Sequence, residues 1–310
     1  MRRRCAVGWM TVVLLSVGTV AASQSVGAVL DVVATTSIVA EVVGRVAGDR
    51  VEVLALVPVG GDPHAIEPTP REWAGIERAD VVFVNGAGLE NDVAALLEAA
   101  TGPVVSLSEG MPLLEVEGGA HDHGAADPHV WLDPTRVMAW TRIIEATLSE
   151  LDPDGAASYA AAATAYRELL AALDLWIFAE TAKVPAARRI LLTDHASLGY
   201  FASRYGFATP GQLYPGATSL AEPSAREIAD LETLLLDLEV RAIFVSSTAN
   251  ASLAEAVARD TGAVVVPLVI GSLTAADGPA ASYEEMMRWN VRAIVDALIK
   301  PEPAPGDSGA

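Results

Sequence analysis

One stretch in the middle of the chain limits the possible folds more than any other. Residues 156–184 contain neither glycine nor proline, and Tyr159, Tyr166, Leu169, Leu170, Leu173, Trp176 and Ile177 recur along them at helical spacing. Asp152-Pro153 supplies a helix start with proline at the first position, and Pro185 closes the run. At ~1.5 Å per residue the helix would be on the order of 40 Å long. That is enough to run the length of two domains and join them. Such a link is stiffer than a Gly/Ser hinge, so closure of one part on the other should be small.

Both flanks of this stretch show the same rhythm. On the N-terminal side, Val-rich runs at 32–35, 51–57, 81–84 and 104–107 read as buried strands, with helical patterns at 38–46, 70–79 and 90–100. On the C-terminal side, 190–193, 242–245 and 264–268 are strand-like, and 196–205, 224–238 and 252–261 are helix-like. Continuous apolar strands alternating with helices are the mark of a parallel sheet covered on both faces. The expectation is an α/β protein of two lobes, each with a parallel sheet, at 29–150 and 186–300, joined by one long rigid helix within 153–184. A length of 310 residues agrees with two domains at roughly 150 residues each. The Pro/Gly/Asp-rich residues 301–310 read as a disordered tail.

Residues 1–23 read as a label rather than as fold. Arg2, Arg3 and Arg4 precede an apolar run without acids, and Ala21, Ala22 and Ser23 supply the small residues of a cleavage site. A cut after Ser23, or alternatively after Ala28, would release a product lying outside the cytoplasm; the other reading is an uncleaved anchor. The single cysteine, Cys5, lies before the apolar run, which is not the usual place for lipid attachment, and it excludes disulfide scaffolds and Cys-based zinc fingers. The chain has 20 Lys+Arg against 40 Asp+Glu, a net −20 that loss of three arginines would take to −23. This argues against a nucleic-acid partner, which needs a basic face.

Histidine is scarce, at five residues, so its placement is informative. His64 follows the strand ending near Val57, in a loop stiffened by Pro63, Pro68 and Pro70. His195 follows the 190–193 strand and is expected to open a helix. Both lie where strands of an open sheet end, the usual place for a ligand. His129 sits in Asp127-Pro128-His129-Val130-Trp131-Leu132-Asp133-Pro134, again bracketed by prolines. Three imidazoles from rigid, separated segments would make a preformed site for zinc, copper, iron or nickel. His121 and His123 belong to the polar tract Gly118-Gly119-Ala120-His121-Asp122-His123-Gly124, which either collects metal weakly or is a solvated loop.

These segments resemble the metal-binding receptors of zinc and manganese ABC importers, the cluster A-I solute-binding proteins. The likeness runs from about Leu30 to Lys300. The family's His-x-Tyr-Glu-Pro-Thr-Pro motif is found at 64–70 with Ile66 in place of Tyr. Its Asp-Pro-His-x-Trp-Leu-Asp-Pro motif is complete at 127–134. A third, His followed by an aromatic helix, is matched by His195 with Tyr200, Phe201, Tyr205 and Gly206. Asn85-Gly86 with Leu89-Glu90, Glu222-Pro223-Ser224, and Tyr283 with Met286, Met287 and Asn290 also fit. The resemblance implies His64, His129 and His195 as metal ligands. It also implies a fourth, an Asp, where this chain has Gly271; a water, Asp277 or Glu222 could take that place.

The leading expectation is therefore a monomeric receptor outside the cytoplasm that binds Zn2+ and hands it to a membrane permease driven by an ATPase. Without a carboxylate ligand, and with His195 where manganese-tuned relatives tend to carry Glu, zinc is favoured over Mn2+. Affinity should fall as pH drops through about 6.5, the reference histidine pKa. The alternative is a hydrolytic zinc enzyme using three histidines and a water. Against it, no His-Glu-x-x-His helix is present, and only Glu67 lies near as a base. A surface adhesin role is neither supported nor opposed by these residues.

Overall fold

In a computed structural model of the chain, residues 30–116, 126–215 and 223–299 are described. Strands β1 (Leu30–Thr36), β2 (Val51–Val57), β3 (Val81–Val84) and β4 (Val104–Ser106) form a sheet in the order β2-β1-β3-β4. A second sheet holds β5 (Leu192–Thr193), β6 (Ala242–Ser246) and β7 (Val264–Leu268), in the order β5-β6-β7. All pairings are parallel. The helices are α1 (Ser37–Ala47), α2 (Pro70–Arg78), α3 (Ala94–Leu97), α4 (Pro134–Leu151), α5 (Ala156–Thr181), α6 (Gly199–Tyr205), α7 (Ala225–Asp237), α8 (Ser252–Thr261) and α9 (Tyr283–Ile299).

The strands are apolar throughout because each face meets a different core. In β1 and β3, Val32, Ala34, Val81 and Phe83 point into a large central cluster, while Val33, Val82 and Val84 pack outward against Ile76 and Leu97. In β6, Ala242 and Phe244 join the same central cluster, and Ile243 and Val245 face a separate outer one with Leu235 and Val257. The inner faces of both sheets thus share one continuous core. Its middle is supplied by Tyr159, Leu170 and Ile177 of α5, Trp140 and Ile144 of α4, and Met286 and Val291 of α9. Helix α5 packs on α1 and α4 of the first half and on α6 and α9 of the second. A link embedded in a shared core is a stiff one.

The α/β class, the two parallel sheets and the long helix agree with the sequence reading, and the departures have local causes. Helix α5 has 26 residues rather than 29. Thr181 Oγ1 turns back to the Ile177 carbonyl, and i→i−3 bonds from Lys183 and Val184 tighten the chain before Pro185. Its expected proline start is a 3-10 turn over Pro153–Gly155. The helix expected at 90–100 shrinks to a 3-10 turn and α3, because the Glu90 side chain is drawn into a buried loop. Helix α6 begins at Gly199, so His195 stands four residues ahead of it instead of opening it. Helices α4 and α9 were not anticipated from the sequence as elements. The leader, the tail, His121, His123 and Glu222 lie outside the described residues. Among those described, no helix is long and apolar enough to cross a membrane.

Candidate metal centre

Two of the three histidine loops are built by the same tripeptide. In Asp62-Pro63-His64 the Asp62 carboxylate accepts the His64 N–H at 2.9 Å; in Asp127-Pro128-His129 the Asp127 carboxylate accepts the His129 N–H, also at 2.9 Å. Aspartate side chains fold back readily on the backbone two residues on, and proline fixes φ between them. The first loop ends in α2, where Thr69 and Glu72 form a capping box ahead of Pro70. His195 differs. Its N–H is held by Asp194, and its carbonyl accepts from Thr193 Oγ1 at 2.6 Å and from the Ser197 N–H at 2.7 Å.

The three imidazoles converge. His129 Nε2 lies 3.1 Å from His64 Nε2 and 3.3 Å from His195 Nε2. One donor nitrogen from each ring falls within 4.8 Å of the others. A tetrahedral zinc with ~2.0–2.1 Å bonds has nitrogen–nitrogen edges of roughly 3.3–3.4 Å, so the spacing suits a common ion. His129 is fully buried and His195 is 4% exposed, whereas His64 is only partly buried and forms the outer wall. The partly open space beside them, about 10 Å³, is bounded by Asp62, Pro63, Ser246, Thr248, Ile270 and Gly271 as well as the imidazoles. It holds one water-sized body and no more. A much larger groove of about 950 Å³ runs past Thr193, Ser197 and Gln212, but none of the three imidazoles lines it.

Each buried imidazole turns its other nitrogen to an acid. His129 Nδ1 is 2.8 Å from Asp127 Oδ1, and His195 Nδ1 is 3.0 Å from Asp194 Oδ1, the latter off the line of a good hydrogen bond. An acceptor at Nδ1 places the ring proton there and leaves the Nε2 lone pair facing the cavity. The electrostatics follow from burial. It drives the His64 pKa from 6.5 to about 3, helped by repulsion from His129 and His195, and holds His129 well below its usual range. Burial also lifts Asp127 to about 7, against the bond from His129 N–H. Burial would lift Asp194 too, but its contact with His195 and the N–H groups of Ser246 and His195 outweigh that and lower it. The expected titration at 6.5 is therefore displaced on His64 and His129, which are already unprotonated there, while burial brings Asp127 near neutrality.

Further residues fix the floor. Trp131 Nε1 donates to the Ile270 carbonyl at 2.8 Å, and Tyr283 Oη donates to the Trp131 carbonyl at 2.7 Å, tying the His129 loop to the segment after β7. Asn290 grips Val269 through both of its backbone groups, at 2.8 and 2.7 Å. Buried Glu90 accepts from Thr35 Oγ1 (2.7 Å) and from the N–H groups of Asn85 (2.8 Å) and Gly86 (3.0 Å). Asn85 Nδ2 in turn reaches the Pro128 carbonyl, at 3.0 Å. Sequence reasoning had singled out Glu90, Asn85, Tyr283 and Asn290 without a role, and it missed the parts played by Asp127 and Asp194. The signal for those two was present, since each acid lies within two residues of a candidate histidine. Asp277 is exposed and is not grouped with the three histidines, and Gly271 lines the cavity with no side chain.

With this geometry in view, comparison with known proteins gives a consistent result. Residues 32–297 match the family described as zinc-uptake complex component A, periplasmic. The chain is 34% identical over 274 residues to the manganese-binding lipoprotein MntA of Halalkalibacterium halodurans, covering 87% of this chain and 88% of that protein. It is 30% identical over 280 residues to the manganese ABC transporter substrate-binding lipoprotein scaA of Streptococcus gordonii, covering 87% and 89%. Among solved structures, the periplasmic zinc-binding protein TroA of Treponema pallidum superposes with a TM-score of 0.79 at 27% identity, covering 87% of this chain and 99% of that one. A manganese-bound periplasmic metal-binding protein of Candidatus Liberibacter asiaticus gives a TM-score of 0.76 at 27% identity, covering 86% and 98%. The extent of the match, across nearly every described element, shows that this chain belongs to the family of zinc-uptake complex component A.

Proposed function

We propose that this protein is the metal-capturing, substrate-binding component of an ABC importer, that its cargo is Zn2+, and that His64, His129 and His195 are the ligands. The carrying observation is the convergence of three Nε2 atoms on a cavity the size of one water. Burial keeps two of those imidazoles unprotonated, so ions do not compete with protons for them at neutral pH. Relatives carry manganese in their names, but this site offers three imidazole nitrogens and no carboxylate among its nearest ligand atoms. That donor set favours zinc over the harder Mn2+. The protein works outside the cytoplasm as a monomer, delivered by its leader, and delivers the ion to a permease with its ATPase.

The small size of this pocket and the exposure of Glu67 favour binding over hydrolysis. Calorimetric titration of the metal-stripped mature chain tests the reading. Zinc should bind tighter than micromolar and manganese more weakly. The His64→Ala/His195→Ala double variant should bind neither; full zinc binding by that variant would sink the assignment.

A further inference from the structure

Helix α6 grips the His129 loop at both of its ends. Tyr200 and Arg204 stand four residues apart on it and so share one face. At the first end, the buried Tyr200 Oη donates to the Asp127 carbonyl at 2.9 Å and accepts the Leu114 N–H at 3.0 Å. The Asp127 N–H closes the knot on the Leu114 carbonyl at 2.7 Å, and Arg136 lies over the Tyr200 ring, 4.2 Å from its centre. Beside Tyr200, Gly199 brings its bare Cα against Asp127. A Cβ there would fall 2.6 Å from Asp127 Oδ2, and the other oxygen of that carboxylate is the one that holds His129. At the second end, Arg204 Nε stands 3.4 Å from Oδ1 of Asp133, whose side chain caps α4. The helix is itself anchored. Arg204 forks Asp174 of α5 at 2.6 and 2.5 Å, and Tyr205 Oη donates to the same carboxylate at 2.8 Å. His195 lies just ahead of this helix, where the Ser197 N–H returns to the His195 carbonyl and the Ala202 N–H to the Leu198 carbonyl.

We propose that α6 is the strut that sets the gap between His129 and His195, and that Tyr200 and Arg204 are its positioning residues. The inference rests on the metal-binding reading above. Neither residue lines the cavity. The Asp-Pro-His turn gives the His129 loop its shape through bonds internal to it, and Trp131 anchors the middle of the loop on Ile270. Its two ends are placed by α6, from Tyr200 through the Asp127 backbone and from Arg204 through Asp133. Because His195 and α6 are consecutive in the chain, the same short helix carries one imidazole and places another. Removing the Tyr200 hydroxyl takes a donor from the Asp127 carbonyl and loosens the 3.3 Å spacing of the two Nε2 atoms, while the turn itself stays intact.

The experiment is zinc titration of the metal-stripped mature chain and its variants, with Co2+ absorption spectra at saturation as a reporter of coordination geometry. Tyr200→Phe keeps the ring under Arg136 and should lose roughly tenfold in zinc affinity, the scale of an outer-shell disturbance, with a changed Co2+ spectrum. In a His129→Ala background there is no imidazole left to place, so Tyr200→Phe should add no more than roughly twofold. Leu235→Ala, which loosens the separate outer cluster, should lower the melting temperature and leave both affinity and spectrum alone. Wild-type affinity and spectrum in Tyr200→Phe, a tenfold loss that persists without His129, or the same changes in Leu235→Ala would each overturn the inference. Should Tyr200→Phe fail to fold, Arg204→Lys decides by the same readouts, since it keeps the charge and loses the fork. A wild-type chain that binds no zinc fails the metal reading itself; wild-type binding with an indifferent Tyr200→Phe fails only this step.

Discussion

In the N-terminal half, His64 and His129 each follow an Asp-Pro pair, and the aspartate two residues back folds onto the histidine N–H. In the C-terminal half, His195 follows a strand of two residues, and long-range bonds hold its loop. Asp194 accepts the Ser246 N–H from β6 at 2.9 Å, its own N–H reaches the Phe244 carbonyl at 3.0 Å, and the Tyr214 N–H reaches the Asp194 carbonyl at 2.6 Å. The first half thus shapes its histidine loops with local chemistry, and the second with the sheet. A histidine held locally should survive loosening of the fold, whereas one held by the sheet should lose position and stability together.

The largest effect should come from the imidazole both halves depend on. His129 is fully buried and stands between the other two rings, at 3.1 and 3.3 Å. Replacing it with alanine should lower zinc affinity beyond the ~10–100-fold typical of an outer-shell change. His64→Ala should lose less, because that ring is the most exposed of the three and a water can enter its place. Titration calorimetry of the two variants reads the ranking, and equal losses would remove the distinction between inner and outer wall.

The acids behind the rings bear on the comparison directly. Asp194→Ala leaves the N–H groups of Ser246 and His195 without their acceptor, so it should cost about 1–3 kcal/mol of stability and roughly 10–100-fold in zinc affinity. Asp127→Asn retains an acceptor for the His129 N–H and should cost about tenfold in affinity with little change in melting temperature. Paired melts and titrations would show this split. If Asp127→Asn destabilised as much as Asp194→Ala, the contrast between local and sheet-held ligands would be lost.

This contrast also explains what could be read in the sequence. The parallel strands were legible because both faces of β1, β3 and β6 are covered, which makes their apolar runs continuous. The Asp-Pro-His loops were legible because their geometry is local. The start of α6 was not, because Thr193 Oγ1 and the Ser197 N–H take the His195 carbonyl and delay the helix to Gly199. The seating of Asp127 on Gly199 was invisible too, since the two residues are more than seventy positions apart and meet only in the folded chain.

Glu90 sharpens the comparison at longer range. It lies outside the histidine loops, yet through Asn85 it holds the Pro128 carbonyl beside His129. Glu90→Gln puts an amide N–H toward one of three donors now facing a carboxylate. It should cost about 1–3 kcal/mol of stability but well under tenfold in zinc affinity, because Asp127 still shapes the loop. Thermal melting beside zinc titration reads both. A large affinity loss with an unchanged melt would place the control of His129 in Asn85 instead of Asp127.

The smallest effect concerns protons. With His64 near 3 and His129 well below 6.5, acidification from pH 7.5 to 6.5 adds almost no proton to either ring. Asp127, lifted to about 7, passes from mostly ionised to mostly protonated there. Protonated, it turns from acceptor to donor at His129 Nδ1 and favours the ring tautomer whose Nε2 cannot bind a metal. One such proton should lower zinc affinity by roughly threefold over that interval, and Asp127→Asn should abolish the dependence. Stability of the metal-free chain follows the histidines instead. Between pH 6.5 and about 3 the unfolded chain binds protons that His64 and His129 refuse in the folded one, so stability falls on acidification. Asp127 works in the opposite sense between 3.8 and about 7, because there the folded state holds the extra proton. Two imidazoles against one carboxyl leave a net loss. Melts at pH 7 and pH 5 should therefore show a drop that is shallower in His64→Ala and steeper in Asp127→Asn. An unchanged slope in both would mean that the buried cluster does not govern how the fold responds to acid.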